Sequence, residues 1–411
     1  MTRFVLPFVL VLASGVGAHA APAHAHARSC KPKPRQVRFA TFNVSLNRFN
    51  AGDLVAELSS PDSAQAQTIA EIIQRVDADV ILLNEFDFDD QQEAIDAFRH
   101  HYLEVSQNGQ DPVDYPYVFV APSNTGVPSG FDLDNDGATD GPGDAFGFGF
   151  FPGQYGMVVL SKHRILHRHV RTFQNFRWQD MPGALLPDDP STPEPHDWYS
   201  PEELDVVRLS SKSHWDVPVR TPRGVVHVLA SHPTPPVFDG PEDRNGTRNH
   251  DEIRFWADYV DFYNSRYIYD DCGRRGGLRP GARFVIMGDL NADPNDGDST
   301  GNPASLLLDN PYVNVELTPT ALGGVDATDR QGGANLDHLG DPAEDTADFA
   351  DGAPGNLRVD YVLPSWNLPI VDAAVFWPTS DDPQFPLVGD FPFPSSDHRA
   401  VYVDVELRRR R

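Results

Sequence analysis

The stretch FVIMGDLNADP, residues 284–294, decides the fold. Phe284 to Met287 is an unbroken apolar run of strand-forming residues, the pattern of a strand covered on both faces. Immediately after it come Asp289, Asn291 and Asp293, so the strand ends by presenting polar groups at one place. The same arrangement recurs upstream. GVVHVLASHP, residues 224–233, reads as a strand stopping at His232, and NHDEIRFWADYVDFY, residues 249–263, as a helix with Ile253, Trp256, Ala257 and Val260 on one face. Asn249 followed by Glu252 fits an N-terminal capping box for that helix.

An earlier copy of this strand, helix, strand unit starts with VRFATFNVS, residues 37–45, a strand ending at Asn43. Residues 63–77 then place Ile69, Ile72, Ile73 and Val76 at helical spacing, and DVILLNEFD, residues 79–87, is a buried strand ending at Glu85. QYGMVVLS, VDYVLPS and HRAVYVDVEL read as further strands. Long loops rich in Pro, Gly and Asp separate them at 122–153, 179–203, 233–248 and 292–356, lengths uncommon in compact domains unless the loops carry function or disorder. Many strands with few helices imply a layered α/β sandwich, with one domain over residues 36–408.

Each strand stops at a chemically capable residue: Asn43, Glu85, Tyr155 with Gly156, His232, Asp289 with Asn291, Asp360, and Asp397 with His398. Gathered at one edge, these would form a cleft holding four carboxylates, two amides, two imidazoles and a phenol. Crowded carboxylates repel one another, so such a cleft suits a hard divalent cation. In-line attack on a phosphate ester spreads negative charge over the phosphoryl oxygens, and a metal ion, amides and imidazolium groups offset it.

The order of these motifs, above all GDLN followed by a near-terminal SDH, resembles the endonuclease/exonuclease/phosphatase superfamily from about Val37 to Leu407. The resemblance implies an α/β four-layer sandwich of two stacked mixed sheets flanked by helices, with the active site at one rim. It implies Glu85 as the main carboxylate for Mg²⁺ or Mn²⁺, with Asn43 beside it and Asp397 as a second or water-mediated ligand. Asp289 would orient or deprotonate the attacking water, and Asn291 would hydrogen-bond the phosphoryl oxygens. His398, held by Asp360, would contact the phosphate, His232 would protonate the leaving oxygen or bind the phosphate, and Tyr155 would line the pocket. The expected activity is phosphodiester hydrolysis by a monomer acting on a phosphate-ester substrate. The alternatives are a nuclease, or a non-catalytic calcium-dependent surface-binding protein on the same fold. The Pro-rich segment after His232, holding Arg244, Arg248 and His250, departs from the shorter connection of simple family nucleases; it could hold a second charged group or be a solvated loop.

FDLDNDGATDGPGD, residues 131–144, is a separate signal. Asp132, Asp134, Asp136, Gly137 and Asp140 follow the spacing of a calcium-binding loop, although Gly143 stands where the bidentate glutamate belongs and Asp144 lies one place beyond. A structural Ca²⁺ is the expectation.

The chain of 411 residues carries 60 acidic against 33 basic side chains, a net charge of −27, which argues against general nucleic-acid coating. Residues 161–178 are a locally basic exception with several aromatics, readable as a groove wall or as exposed strands beside the core. The opening MTRFVLPFVLVLASGVGAHA has the layout of a secretory signal, residues 1–20, followed by an irregular lead-in over 21–35 and no later segment apolar enough to span a membrane. Export to an oxidising compartment leads to the expectation of a bridge between the only two cysteines, Cys30 and Cys272.

Overall fold

A computed structural model describes Met1 and residues 36–408. Among these residues the strands are β1 (Gln36–Leu46), β2 (Val80–Phe86), β3 (Tyr117–Phe119), β4 (Met157–Ser161), β5 (Arg164–Ile165), β6 (Arg171–Thr172), β7 (His214–Thr221), β8 (Gly224–Ser231), β9 (Phe284–Asp289), β10 (Asp360–Pro364), β11 (Ile370–Val375) and β12 (Val401–Glu406). The helices are α1 (Asp53–Leu58), α2 (Ala64–Val76), α3 (Glu93–Phe98), α4 (Pro201–Leu204), α5 (Arg244–Val260), α6 (Pro303–Leu308) and α7 (Leu322–Gln331). One six-stranded sheet has the order β11-β12-β1-β2-β4-β3; the other runs β10-β9-β8-β7-β5, with β6 also on β7.

Both sheets are mixed, and the parallel pairs are β1 with β2 and β8 with β9. Parallel neighbours require a crossover, and here α1 with α2, and then α5, supply it. Alternation along β1 shows how the layers arise. Val37 and Phe39 face the other sheet in a shared core with Val217, Val228 and Met287, while Phe42 and Val44 pack on the opposite face with Ile69 and Ile73 of α2. On the outer face of the second sheet, Leu229 and Ile286 pack against Ile253, Trp256 and Tyr259 of α5. The expected four-layer α/β sandwich is therefore observed.

The topology fixes one rim. The C-terminal ends of β1 and β2 are level, with Asn43 opposite Asn84. Antiparallel β4 starts where β2 ends, Met157 opposite Asn84, and β12 starts near the end of β1, Val401 opposite Thr41. In the second sheet, Asp360 opens β10 directly opposite Asp289, the last residue of β9.

The helix start needs correction. Helix α5 begins at Arg244, so Asn249 and Glu252 are interior residues rather than a capping box, and both are fully buried. Arg244, Arg248 and His250 accordingly lie on this helix and not on a loop. The basic stretch 161–178 is largely neutralised within the fold: Lys162 pairs with Asp77, Arg171 with Asp270 and Arg177 with Asp180. Cys272 is exposed and forms no disulfide among the described residues; Cys30, like the signal segment and the lead-in, lies outside them. No described helix is long and apolar enough to cross a membrane.

Candidate active site

Asp289 is the hub of the rim. Its Oδ2 accepts from Asn43 Nδ2 at 3.0 Å and lies 3.4 Å from His232 Nε2 and 3.6 Å from His398 Nε2. Its Oδ1 accepts from the Asn291 backbone N–H at 2.9 Å, a contact made possible by the left-handed φ of 52° at Asn291, a conformation asparagine tolerates. The Asp289 N–H donates to Asn84 Oδ1 at 3.3 Å. Burial pushes the Asp289 carboxyl up to about 6 against the pull of His398.

The two histidines flanking it are tuned apart. His398 Nδ1 donates to Asp360 Oδ2 at 2.8 Å, and the same oxygen accepts from Thr346 Oγ1 at 3.0 Å, which fixes the ring. Burial by itself would lower His398, but Asp360 and Asp289 outweigh it and hold it well above the ordinary imidazole range. His232 is shifted the other way, first by burial and then by the positive charges of Lys212 and His398. Two imidazoles pushed in opposite directions therefore face a single carboxylate, the kind of pairing that separates acid and base roles.

Beside them lies the set suited to a metal. Glu85 closes β2 in a left-handed conformation, φ 57°, and its carboxylate accepts from Asn47 Nδ2 at 2.8 Å. Desolvation and then the charge of Asp397 push its pKa up against the pull of His398. Asp397 Oδ1 accepts from Ser45 Oγ at 3.2 Å, and Ser45 donates its N–H to Asn43 Oδ1 at 3.1 Å. A buried carboxylate with a second acid and an amide oxygen nearby is a donor set that fits a hard divalent cation. Asp289, Asp360 and His398 also bring ligand-type atoms within 4.8 Å of one another. We read that trio as a hydrogen-bonded relay, because the His398 and Thr346 bonds already engage the Asp360 oxygen.

Tyr155 precedes β4 with φ 54°, and its N–H donates to Asp87 Oδ1 at 3.0 Å. Burial raises Asp87 to about 7. Glu85, Tyr155, Lys212 and His232 are among the residues lining a cavity of about 420 Å³. Lys212 is buried, reaches the Pro233 carbonyl at 3.5 Å, and has its pKa lowered by burial against the opposing charges of Glu252, Glu85 and Asp289. Sequence reading missed it, since nothing in SSKSHWD marks one lysine as buried. Glu252 and Asn249 turn out to tie the walls together. Glu252 accepts from the N–H groups of Ser211 at 2.7 Å and Thr234 at 2.6 Å, while Asn249 Nδ2 donates to the carbonyls of Thr234 and Leu290.

Of the nine rim residues expected from sequence, Asn43, Glu85, Asp289 and Asp360 lie in β1, β2, β9 and β10, and Tyr155, His232, Asn291, Asp397 and His398 lie in the segments adjoining β4, β8, β9 and β12 at this edge. In the acidic loop, Asp132, Asp134 and Asp136 bring carboxylate oxygens within 4.8 Å of one another; Asp140 is not part of that group. Asp144 is committed elsewhere, accepting from the N–H groups of Leu133 and Gly141.

Residues 40–398 match the profile of the Endonuclease/Exonuclease/phosphatase family. A search of curated proteins finds no match. Among solved structures, an endonuclease/exonuclease/phosphatase from Beutenbergia cavernae aligns at 19% identity and TM-score 0.47 over 91% of this chain and 72% of its own. Sphingomyelinase C from Streptomyces griseocarneus aligns at 15% identity and TM-score 0.44, covering 90% of this chain and 99% of its own. Truncated TDP2 from Caenorhabditis elegans aligns at 15% identity and TM-score 0.40, over 91% and 98% of the two chains. The family match spans most of the chain, and the chain belongs to the endonuclease/exonuclease/phosphatase family of metal-dependent phosphoester hydrolases.

Proposed function

We propose that the protein is a secreted phosphodiesterase using Mg²⁺ or Mn²⁺, with the nine rim residues as its working groups. The observation that carries this reading is one buried carboxylate, Asp289, flanked by two histidines of opposite charge preference. Glu85, Asn43 and Asp397 would hold the metal, which when bound supplies positive charge to the phosphoryl oxygens.

The protein groups divide the remaining work. Asp289 orients water and accepts its proton; its raised pKa makes it a better base than an exposed aspartate. The His398 imidazolium, kept charged by Asp360, and the Asn291 amide donate to the phosphoryl oxygens as their charge grows. Lys212 adds a third positive group on the cavity side. His232 gives the departing alkoxide its proton. In the free site burial first, and then the charges of Lys212 and His398, disfavour its imidazolium, and an arriving phosphodiester anion favours it, so the proton is taken up with substrate. Tyr155 borders the ester group.

Assays with bis(nitrophenyl) phosphate and a poor-leaving-group dialkyl phosphate, each with and without Mg²⁺ or Mn²⁺, test the proposal. Turnover of both only with metal is expected; a phosphomonoesterase would leave both intact. The nuclease reading receives less support, because none of the basic residues 161–178 lines the cavity. We further propose a structural Ca²⁺ at Asp132, Asp134 and Asp136, supported by their spacing and by the convergence of their carboxylate oxygens; burial first, and then the charges of Asp144 and Asp136, raise Asp134.

A further inference from the structure

We infer that the substrate is a compact phosphodiester with a ring-bearing ester group, seated in the cavity beside Glu85 and His232. The inference rests on the phosphodiesterase reading and adds the substrate class. Glu85, Tyr155 and His232 of the rim line this cavity, so a group attached to the phosphorus can enter it. Its volume of about 420 Å³ falls in the small-molecule range of roughly 300 to 1,000 Å³.

The outer wall is largely apolar and aromatic, formed by Leu133, Ala145, Phe146, Tyr199, Val207 and Phe238. Flat rings offer such a wall both area and favourable edge-to-face or stacked contacts. The wall is also preformed. The Arg208 guanidinium covers the Phe146 ring at 4.0 Å, and Arg248 Nη2 donates to the Phe146 carbonyl at 2.5 Å. At Gly147 an added Cβ would sit 1.8 Å from the Ser211 carbonyl oxygen, so the insertion lies directly against the segment carrying Lys212. Backbone contact that close leaves the wall little freedom to open for a larger ligand.

Two other ligand classes fit worse. A nucleic-acid duplex cannot enter a cavity of this size, and its phosphates would meet a chain of net charge −27. A long acyl chain would cover Asp134, Arg244 and Asn245, which also line the cavity, without offering them hydrogen bonds. A ring carrying polar atoms can satisfy both kinds of lining.

The test is calorimetric titration of the full chain in Mg²⁺ with adenosine monophosphate, methyl phosphate, a short DNA duplex and phosphatidylcholine vesicles. Adenosine monophosphate is expected to bind at least about tenfold more tightly than methyl phosphate, and more tightly than duplex or vesicles. Phe238→Ser, at a residue 87% exposed, and Val207→Phe, which fills the cavity, should each narrow that advantage at least about threefold. Equal affinities for the two monophosphates, tighter binding of duplex or vesicles, or an advantage unchanged in Phe238→Ser would each overturn the inference. Turnover of bis(nitrophenyl) phosphate is recorded in parallel. Its absence alongside an intact ring preference would overturn the catalytic reading while supporting the pocket.

Discussion

His232 and His398 lie on either side of Asp289 at 3.4 and 3.6 Å, and only their other neighbours distinguish them. His398 has Asp360 behind it; His232 has no hydrogen-bond partner at Nδ1 among the described residues and has Lys212 as a neighbouring charge. From that asymmetry we predict that His232→Ala slows a dialkyl phosphate by about 10² to 10⁴ but a nitrophenyl diester far less, because nitrophenolate departs without a proton. Asp289→Asn should slow both by similar factors. The comparison is kcat/KM for both variants on both substrates; equal slowing by His232→Ala would reduce that residue to phosphate binding or support. Residues such as Asp289 and His232 were legible because an apolar run ending in a polar group is a local pattern. Lys212 and Thr346 were not, since their importance comes from partners distant in sequence. Asn249 and Glu252 were misread for the same reason: the capping pattern is local, but their bonds go to Ser211, Thr234 and Leu290.

Helix α5 acts as a strut between the two cleft walls, and this gives predictions at the level of elements. Glu252→Ala leaves the buried N–H groups of Ser211 and Thr234 without an acceptor, which should cost roughly 2 to 5 kcal/mol in urea unfolding. Glu252→Gln keeps one acceptor and should cost less. Equal stability of Glu252→Ala and the parent would remove the strut from the account. His214, at the head of β7, is buried against Phe255 and Trp256 of the same helix, and burial pushes it down to about 4. Its folded value is below the ordinary 6.5, so between those values the unfolded chain binds a proton that the folded chain refuses. Stability should therefore fall as pH drops from about 6.5 to about 4, by up to about 3 kcal/mol from this group. His214→Gln should flatten that part of the curve; identical pH dependence in both proteins would reject the assignment. Strand β7 itself was not read from sequence. HWDVPVRT mixes charges with Pro218, and a proline argues against a central strand. The fold accommodates it because β5 and β6 pair with β7 on either side of that residue, leaving its position without a ladder partner on that edge.

Across the whole molecule, two parallel units and the antiparallel strands beside them put every working group on one rim, and the insertions at 131–148 and 233–248 turn that rim into a bounded cavity. The layered class and the rim were visible in the strand endings. The cavity was not, because it depends on how the insertions pack. If Ca²⁺ fixes the acidic loop, limited proteolysis within residues 122–153 should slow markedly when Ca²⁺ is added, and equal cleavage rates would count against the site. The central claim, that this rim is a metal-dependent phosphodiesterase centre, is tested most directly by turnover of bis(nitrophenyl) phosphate in parent and Glu85→Gln proteins, paired with calorimetric Mg²⁺ titration. The account predicts that a chelator abolishes turnover in the parent, that Mg²⁺ or Mn²⁺ restores it, and that Glu85→Gln loses both metal affinity and activity by at least about tenfold while remaining folded. Chelator-insensitive turnover, or a Glu85→Gln protein that binds Mg²⁺ and hydrolyses the diester like its parent, would contradict it.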